Sequence, residues 1–287
     1  MINLILGIVF FNVILIIFKL FERFKVDNLQ AIIVNYVVAS SLGIFTSNIS
    51  NPFNYIVNSD WIFYALIIGT LFIIVFNLLA TGAQKVGMAI STVANKMSVV
   101  IPVIFAFIVF RDTVSTLKVT GILLAIIGVV LTSTSGQKLS FDKKYLWLII
   151  IIFIGQGIAD CIFNYAQHFV VEAGDAKIFI ASMFMAACVT GLVMLVPKLI
   201  NGTSKFQIKN IIWGIALGVP NFLTVYFFFQ ALESNFLEAS QVYPILNMGV
   251  IVLSALSGFI LFKEKLSMSN WLGIAVSILA IAAITFG

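Results

Sequence analysis

The chain consists of long apolar segments separated by short polar breaks. Segments of about 18–25 apolar residues are long enough to cross a bilayer as helices. Ten such spans are predicted, at about residues 2–21, 29–47, 61–82, 87–110, 115–134, 145–166, 176–197, 211–231, 236–262 and 268–286. The breaks carry turn and charge signals, as in SGQKLSFDKK and KLINGTSKFQIKN. Because no break is long enough to form a domain, the pattern predicts an all-α integral membrane protein with ten transmembrane helices.

The composition points to the same class of protein. Hydrophobic residues make up 62% of the chain and charged residues 9%, with a mean hydropathy of +1.16, whereas soluble domains carry about 25% charged residues. A chain with so few polar groups must face lipid. The first apolar segment lacks a basic start and a small-residue cleavage site, so it predicts a span rather than a signal peptide. The formal net charge of +5 is spread over short loops, which does not favour nucleic acid as a partner.

The basic residues concentrate in alternate loops, which predicts an orientation. Lysine and arginine in short loops favour the cytoplasmic side. The opposite set of loops holds only Arg111, Lys118 and Lys177. The rich set holds Lys19, Arg23, Lys25, Lys85, Lys138, Lys143, Lys144, Lys198, Lys205, Lys209, Lys263 and Lys265. The pattern therefore predicts a multi-pass protein of the cell (inner) membrane with both termini outside.

An internal repeat links the two halves of the chain. The segment VFRDTVSTLKVTGILLAIIGVVLT aligns with LFKEKLSMSNWLGIAVSILAIAAIT, which places Arg111-Asp112 over Lys263-Glu264. Five spans per repeat is an odd number, so the halves would be inserted in opposite directions. The sequence therefore predicts two inverted five-helix repeats, residues 1–137 and 138–287, with a substrate site near the bilayer midplane between them.

These two helix-acid-helix units resemble the drug/metabolite transporter superfamily and, within it, the ten-helix EamA-like family. In each unit a long apolar helix ends at an acidic residue, Asp112 or Glu264, and a helix with small residues follows, TGILLAIIG or LGIAVSILA. The stretch ALESNFLEASQVYPIL also resembles the turn between the third and fourth helices of a repeat in that family. The resemblance implies a secondary transporter of small organic molecules, often an exporter. It does not identify the solute.

Lys96 is the most informative residue of the chain. It is the only charge in AISTVANKMSVVIPVIFAFIVF, residues 89–110, and a charge at the bilayer centre costs about 2.5–3.5 kcal/mol on insertion scales. Its side chain has three possible roles: reaching the interface, pairing with an intramembrane acid, or binding an anionic group of a solute in a central cavity. We favour binding, because lysine is an effective point charge for carboxylate or phosphate.

Asp160 is the only acid well inside a predicted span. Two functional roles compete for it: a proton-coupling site, or the counter-ion of Lys96. A hydrogen bond between packed helices is the structural alternative. Because desolvation favours the neutral form of a carboxyl group, an acid at this depth suits proton coupling, and a sodium ion is the other coupling ion to consider.

Three further residues are predicted to bind the solute. Asn95 and Asn247 occupy equivalent positions in the fourth helix of each repeat, and amides both donate and accept hydrogen bonds. Tyr243 lies four residues before Asn247 and shares its helix face. Hydrogen bonds between helices are the structural alternative for the amides. Five other amides lie inside spans and are predicted to border a wet interior: Asn12, Asn35, Asn77, Asn164 and Asn221.

No catalytic, metal or cofactor motif is present. The chain has one histidine, no CxxC pair, no HExxH, no GxSxG and no phosphate loop, so we predict neither an enzyme nor a cofactor. His168 is predicted to lie at the interface rather than in a proton relay. The sequence leaves three functions open: a transporter of a small polar, possibly anionic metabolite, a protein that flips a phospholipid or polyprenyl carrier, and a structural or sensory membrane protein. The first is favoured.

Overall fold

The structure is a computed structural model that describes residues 1–82, 94–133, 145–172, 174–234, 236–263 and 266–287. Within these ranges the chain is helical and contains no β-strand. Several positions used in the sequence analysis lie outside the described residues: Lys85, Lys138, Lys143, Lys144, Glu264, Lys265 and the predicted repeat boundary at 137/138.

The helices follow one another with short connections. They are α1 (Ile2–Phe24), α2 (Asn28–Thr46), α3 (Pro52–Val57), α4 (Ile62–Gly82), α5 (Ala94–Phe110), α6 (Thr116–Ser133), α7 (Leu146–Phe169), α8 (Ala176–Ile200), α9 (Ile208–Glu233), α10 (Ala239–Phe262) and α11 (Met268–Phe286). α5 is regular over Val100–Phe105 and ends in a π-helical stretch over Ala106–Phe110. α3, with six residues, is the shortest of these helices.

Eight of the described helices are long and apolar enough to cross a membrane: α1, α2, α4, α7, α8, α9, α10 and α11. They coincide with eight of the ten predicted spans. The other two predictions, residues 87–110 and 115–134, contain the shorter apolar helices Ala94–Phe110 and Thr116–Leu131. The protein is therefore a multi-pass integral membrane protein, with eight candidate spans in the described part of the chain.

The helices pack largely between the first and second halves of the chain. α1 packs against α9 and α10, and α7 packs against α4 and α5. In the same way α2 lies against α8 and α9, while α8 lies against α2 and α4. The most extensive contact joins α6 to α11. Most of the apolar interior thus lies at contacts between residues far apart in sequence.

Small residues bring α6 and α11 close together. A Cβ added at Gly128 would lie 2.5 Å from Oγ of Ser277, and one at Gly121 would lie 2.7 Å from a side-chain carbon of Ile284. Ser277 and Ile284 are fully buried. Small residues at such contacts let helix backbones approach in the membrane, so α6 and α11 pack closely against each other.

A polar network closes one end of the bundle, which we call the Lys205 end. Asp27 caps α2, where its Oδ1 accepts from the backbone N–H groups of Leu29 and Gln30. Its Oδ2 accepts from Oγ of Ser204 at 2.6 Å. Gln30 donates to Ser204 Oγ at 2.6 Å and accepts from Asn210 Nδ2 at 2.8 Å. The network ties the turn between α1 and α2 to the loop between α8 and α9.

An ion pair joins the two halves at the opposite end, the Glu238 end. Lys118 of α6 is 0% exposed, and its Nζ donates to Glu238 Oε2 and to the backbone carbonyl of Thr113 at 2.8 Å. Thr113 also donates to Glu238 through its backbone N–H at 3.0 Å. Partial burial raises the pKa of the Glu238 carboxyl, but the hydrogen bonds from Lys118 and Thr113 outweigh it and hold that pKa below its ordinary value.

Replacing Glu238 with glutamine is expected to destabilise the protein at neutral pH, because it leaves the buried ammonium group of Lys118 without its carboxylate. Since the folded-state pKa of Glu238 is depressed, its contribution is present above the ordinary value of 4.5 and is lost as pH falls through the folded value. Melting temperatures of both proteins between pH 3 and pH 8 should therefore converge at the acid end.

The control is the double variant Lys118→Met/Glu238→Gln, which removes both charges. It should recover most of the melting temperature that Glu238→Gln loses at neutral pH. An equal difference between wild type and Glu238→Gln at every pH would contradict the role given to this carboxylate.

Candidate functional site

Lys96 lies in a polar cluster among α1, α5 and α10. Its Nζ is 3.5 Å from Oδ1 of Asn247, to which it donates, and 4.7 Å from the ring centroid of Phe11. Phe11 and Asn247 stand near the middle of α1 and α10, helices of 23 and 24 residues. The ammonium group of Lys96 is therefore at mid-helix depth, between a helix of the second half and two of the first.

A second set of contacts surrounds Asp160 on α7. Nδ2 of Asn95 donates to Oε1 of Gln156 at 3.2 Å, and Nε2 of Gln156 donates to Oδ1 of Asp160 at 3.0 Å. The hydroxyl of Tyr243 donates to the backbone carbonyl of Asp160 at 2.8 Å. These contacts join α5, α7 and α10 around one carboxylate.

The structure brings the five predicted site residues into two neighbouring groups. Lys96 contacts Asn247, whereas Asn95 and Tyr243 contact the segment around Asp160. Lys96 and Asp160 make no ion pair within 4.0 Å in the described part of the chain. The two residues are linked indirectly by hydrogen bonds. Asn95, the residue before Lys96, donates to Gln156, and Gln156 donates to Asp160.

Both charged groups keep hydrogen-bonding capacity for a ligand. An ammonium group has three donors and a carboxylate about four acceptor sites. Among the described residues, Nζ of Lys96 has one hydrogen-bond acceptor and the side chain of Asp160 has one donor. Lys96, Asn95, Asn247, Gln156 and Asp160 are all partly exposed. The arrangement can therefore hold a polar solute between a cation and an anion.

Gln156 and Phe11 belong to the site, but sequence reasoning did not single them out. Gln156 could have been found, because it lies one helical turn before Asp160, where i and i+4 side chains meet. Phe11 had no such signal. Its place beside Lys96 depends on how α1 packs against the second half, and nothing local in sequence reports that.

The other intramembrane amides lie at four separate places in the structure. Asn12 donates to Ser257 at 2.8 Å, and Asn221 donates to Asn35 at 3.1 Å. Both pairs join a helix of the first half to one of the second. Asn77 and Asn164 line pockets at opposite ends of the bundle. The sequence predicted that these five amides border one wet interior. The structure instead distributes them over four separate places.

Two pockets of about 670 Å³ lie at the two ends of the bundle and differ in charge. Among the described residues, the pocket at the Lys205 end is lined by Lys25, Lys198 and Lys205, with Asp27 as its one acid. At the Glu238 end three carboxylates line the other pocket, those of Asp112, Glu233 and Glu238. The described residues contain no group of three or more metal-ligating side chains of the His, Cys, Asp or Glu types.

Comparison with known proteins decides the family. The sequence profile of the EamA-like transporter family matches residues 1–134 and 172–286. The chain belongs to the EamA-like transporter family. Membership places it in the drug/metabolite transporter superfamily, as its helix-acid-helix units predicted, and makes it a member of a family of membrane transporters rather than enzymes.

Two similar proteins extend over nearly the whole EamA-like chain. An uncharacterized protein from Haemophilus influenzae is 32% identical over 292 residues, which cover 97% of this chain and 96% of that protein. A protein of known crystal structure, 14% identical in sequence, superimposes with a TM-score of 0.75 over 99% of this chain and 96% of its own. The second comparison shows a shared fold and carries no information on the solute.

Proposed function

We propose that this EamA-like protein is a secondary transporter that moves a small polar organic solute with an anionic group across the cell membrane by alternating access. The observation that carries the proposal is the mid-depth cluster around Lys96. A charge is retained at such depth where it faces a polar cavity or a partner, and this one has a neutral amide as its only hydrogen-bond partner among the described residues.

In the proposed site the solute's carboxylate or phosphate binds Nζ of Lys96. Asn247 and Asn95 hydrogen-bond the rest of the solute, and the ring of Tyr243 forms part of the wall. Tyr243 also fixes α7, because its hydroxyl holds the backbone carbonyl of Asp160. Rocking of the halves would expose this cluster to one face of the membrane at a time.

We also infer that the chain spans the membrane ten times as two inverted five-helix repeats. The packing supports this inference. When each helix of the first half is exchanged with the helix at the same place in the second half, one observed contact between helices becomes another observed contact. The contact of α1 with α9 corresponds to that of α7 with α4, and α1 with α10 corresponds to α7 with α5. The contacts of α2 with α8 and of α6 with α11 each map onto themselves. A match of the family profile in two segments points the same way.

The proposed orientation places the Lys205 end in the cytoplasm and both termini outside. The charge of the two end pockets supports it, since the lysines lie together at one end and cytoplasmic loops carry the excess of basic residues. We propose export as the direction, in line with the resemblance. A cytoplasmic mouth lined by lysine would gather an anionic solute.

A thermal-shift screen of the purified protein against metabolites and lipids tests the substrate class. Soluble carboxylates or phosphates are expected to raise the melting temperature, and those that do should exchange across proteoliposomes in a counterflow assay. Stabilisation by phospholipid or polyprenyl phosphate alone, without counterflow of any soluble anion, would instead indicate a lipid-handling protein. No stabilisation and no flux would remove the transport proposal.

Asp160 is proposed to couple solute movement to a proton. Replacing Asp160 with asparagine keeps an oxygen that can accept from Gln156, but removes the titratable group. Transport driven by a pH gradient across proteoliposomes should be abolished, while counterflow of labelled solute, which needs no net proton movement, should persist.

The matched control for this variant is Glu172→Gln, which neutralises an exposed acid between α7 and α8. It should leave both assays unchanged. If transport driven by the pH gradient survives in Asp160→Asn, the coupling role of Asp160 is wrong. If the wild type itself shows no transport driven by a pH gradient, a sodium gradient becomes the next driving force to test.

A further inference from the structure

Lys96 and Asp160 are the two charged residues that the described structure holds at mid-helix depth. Asp160 lies in the middle third of α7, a helix of 24 residues. Lys96 contacts Phe11 and Asn247 near the middle of α1 and α10. Every other Asp, Glu, Lys or Arg among the described residues lies in a connection or within six residues of a helix end. One positive and one negative charge are therefore held inside the bundle, and their sum is zero.

Among the described residues, no further charge faces this pair from the surrounding helices. The ionisable groups that interact with Asp160 are Lys96, the hydroxyl of Tyr243 and the thiol of Cys161. Tyrosine and cysteine are ordinarily neutral at pH 7. α4 packs against α7 and contains no charged residue, and neither does α10. α1 and α9 carry charges only near their ends.

The two charged groups do not satisfy each other. They make no ion pair within 4.0 Å in the described part of the chain, so the ammonium group of Lys96 is available to an anion. Oδ1 of Asp160 accepts from Gln156 at 3.0 Å, and among the described residues nothing donates to Oδ2. The cluster can therefore take up an anion at Lys96 and a proton at Oδ2 of Asp160 at the same time.

The net charge of the cluster limits which of its states can cross the bilayer. An uncompensated ion taken out of water lowers the population of a state by about a hundredfold or more. In the empty protein the ammonium group and the carboxylate cancel. A bound monoanion alone leaves one net negative charge, and a bound proton alone leaves one net positive charge. A monoanion together with one proton restores a sum of zero.

This result does not depend on which group holds the proton of the empty pair. An ammonium group beside a carboxylate contains as many protons as an amine beside a carboxylic acid, and the two groups titrate as a pair. In both cases the neutral cluster with a bound monoanion contains one proton more than the empty cluster.

We propose that each monoanion bound at Lys96 is accompanied by one proton bound at Asp160, and that both cross the membrane together, in the same direction and without net movement of charge. The inference rests on the proposed function, because it assigns the coupling of the site proposed there. Export then follows the outward gradient of the solute, and each molecule carries one proton with it.

Isethionate (2-hydroxyethanesulfonate) is the probe that tests the stoichiometry, with the purified full-length protein. Its sulfonate stays ionised at neutral pH, so a proton taken up on binding is held by the protein. Calorimetry at pH 7.5 in buffers of different ionisation enthalpy gives the number of protons taken up, which should be about one per isethionate. Binding of isethionate without proton uptake would overturn the proposal.

Taurine is the matched comparison, because an ammonium group replaces the hydroxyl of isethionate and makes the molecule neutral overall. Its binding should take up no proton. An uptake equal to that with isethionate would show that the proton does not offset the charge of the anion, against the proposal.

The variant Asp160→Asn removes the group that takes up the proton. It should bind isethionate without proton uptake, because Lys96 and the sulfonate already sum to zero. Glu172→Gln neutralises an exposed acid between α7 and α8 and should keep the uptake of the wild type. If Asp160→Asn also keeps that uptake, the proton is bound elsewhere and the proposal is wrong.

The double variant Lys96→Met/Asp160→Asn is neutral when empty but negative with isethionate bound. It should bind isethionate about tenfold or more weakly than Asp160→Asn does. Both variants should bind 2-(methylsulfonyl)ethanol, a neutral analogue, equally well. Equal binding of isethionate by the two variants would contradict the role given to the charge of Lys96.

Transport into proteoliposomes tests direction and charge. An inward proton gradient of one pH unit should accumulate isethionate about tenfold, and a membrane potential of either sign should have no effect. Accumulation driven by the potential, or flux opposite to the proton gradient, would overturn the inference and leave the proposed function standing. No binding of isethionate by the wild type would instead count against an anion site at Lys96, and so against the proposed function as well.

Discussion

Transport by a Lys96→Met variant should be roughly 10- to 150-fold less efficient than that of the wild type, with no loss of folded stability. A hydrogen bond to a charged group contributes about 1.5–3 kcal/mol, and each 1.4 kcal/mol is a factor of ten in affinity. Methionine keeps most of the length of the side chain and can still pack on Phe11. The measurement is counterflow in proteoliposomes, paired with melting temperature.

The two readouts together separate binding from packing. An isolated ammonium group at this depth is itself costly, so removing it should leave the melting temperature unchanged or raise it. Lys209→Met is the matched control, because that partly exposed lysine donates, among the described residues, only to the backbone carbonyl of Phe24 at the Lys205 end. Full transport by Lys96→Met, or a fall in its melting temperature together with lost transport, would argue against a role in solute binding.

Replacing Gly69 with alanine is expected to lower the melting temperature by roughly 2–12 °C. Gly69 lies on α4 against α8, where an added Cβ would run into the backbone carbonyl of Met183 and lie 2.9 Å from the Cβ of Ala186. Backbone atoms cannot move aside as a flexible side chain can, so α4 and α8 must separate. Overpacking of this kind costs about 1–3 kcal/mol.

Gly7→Ala provides the comparison at a glycine that has room. Gly7 also lies inside a spanning helix that packs across the halves, but its nearest neighbour to an added Cβ is a leucine methyl at 3.6 Å. The melting temperature of the Gly7→Ala variant should equal that of the wild type. Similar losses in both variants would show that glycine itself, rather than the close approach of α4 and α8, matters at these positions.

Hydrophobic patterning predicted the helices well, because lipid imposes one rule on the whole chain. A helix must satisfy its own backbone groups in the bilayer, so long apolar runs between polar breaks translate directly into spans. The eight long helices lie close to their predicted positions. The two exceptions are α5 and α6. Their described apolar lengths, Ala94–Phe110 and Thr116–Leu131, are shorter than the spans predicted there.

Residue partners were much harder to predict than helices. Tyr243 and Asn247 share a face of α10, but the hydroxyl of Tyr243 turns to α7, whereas Asn247 turns to Lys96. Spacing along one helix fixes which residues share a face. It does not fix what stands opposite, because that depends on the crossing of helices from the other half of the chain.

The packing of each half against the other has a consequence for biosynthesis. As the ribosome delivers the chain to the membrane, the small-residue surface of α6 lacks its partner until α11 leaves the translocon. The first half must therefore wait in the bilayer with transient lipid contacts. A chain that lacked α11 would therefore leave α6, a helix of the first half, without the neighbour against which Gly121 and Gly128 pack.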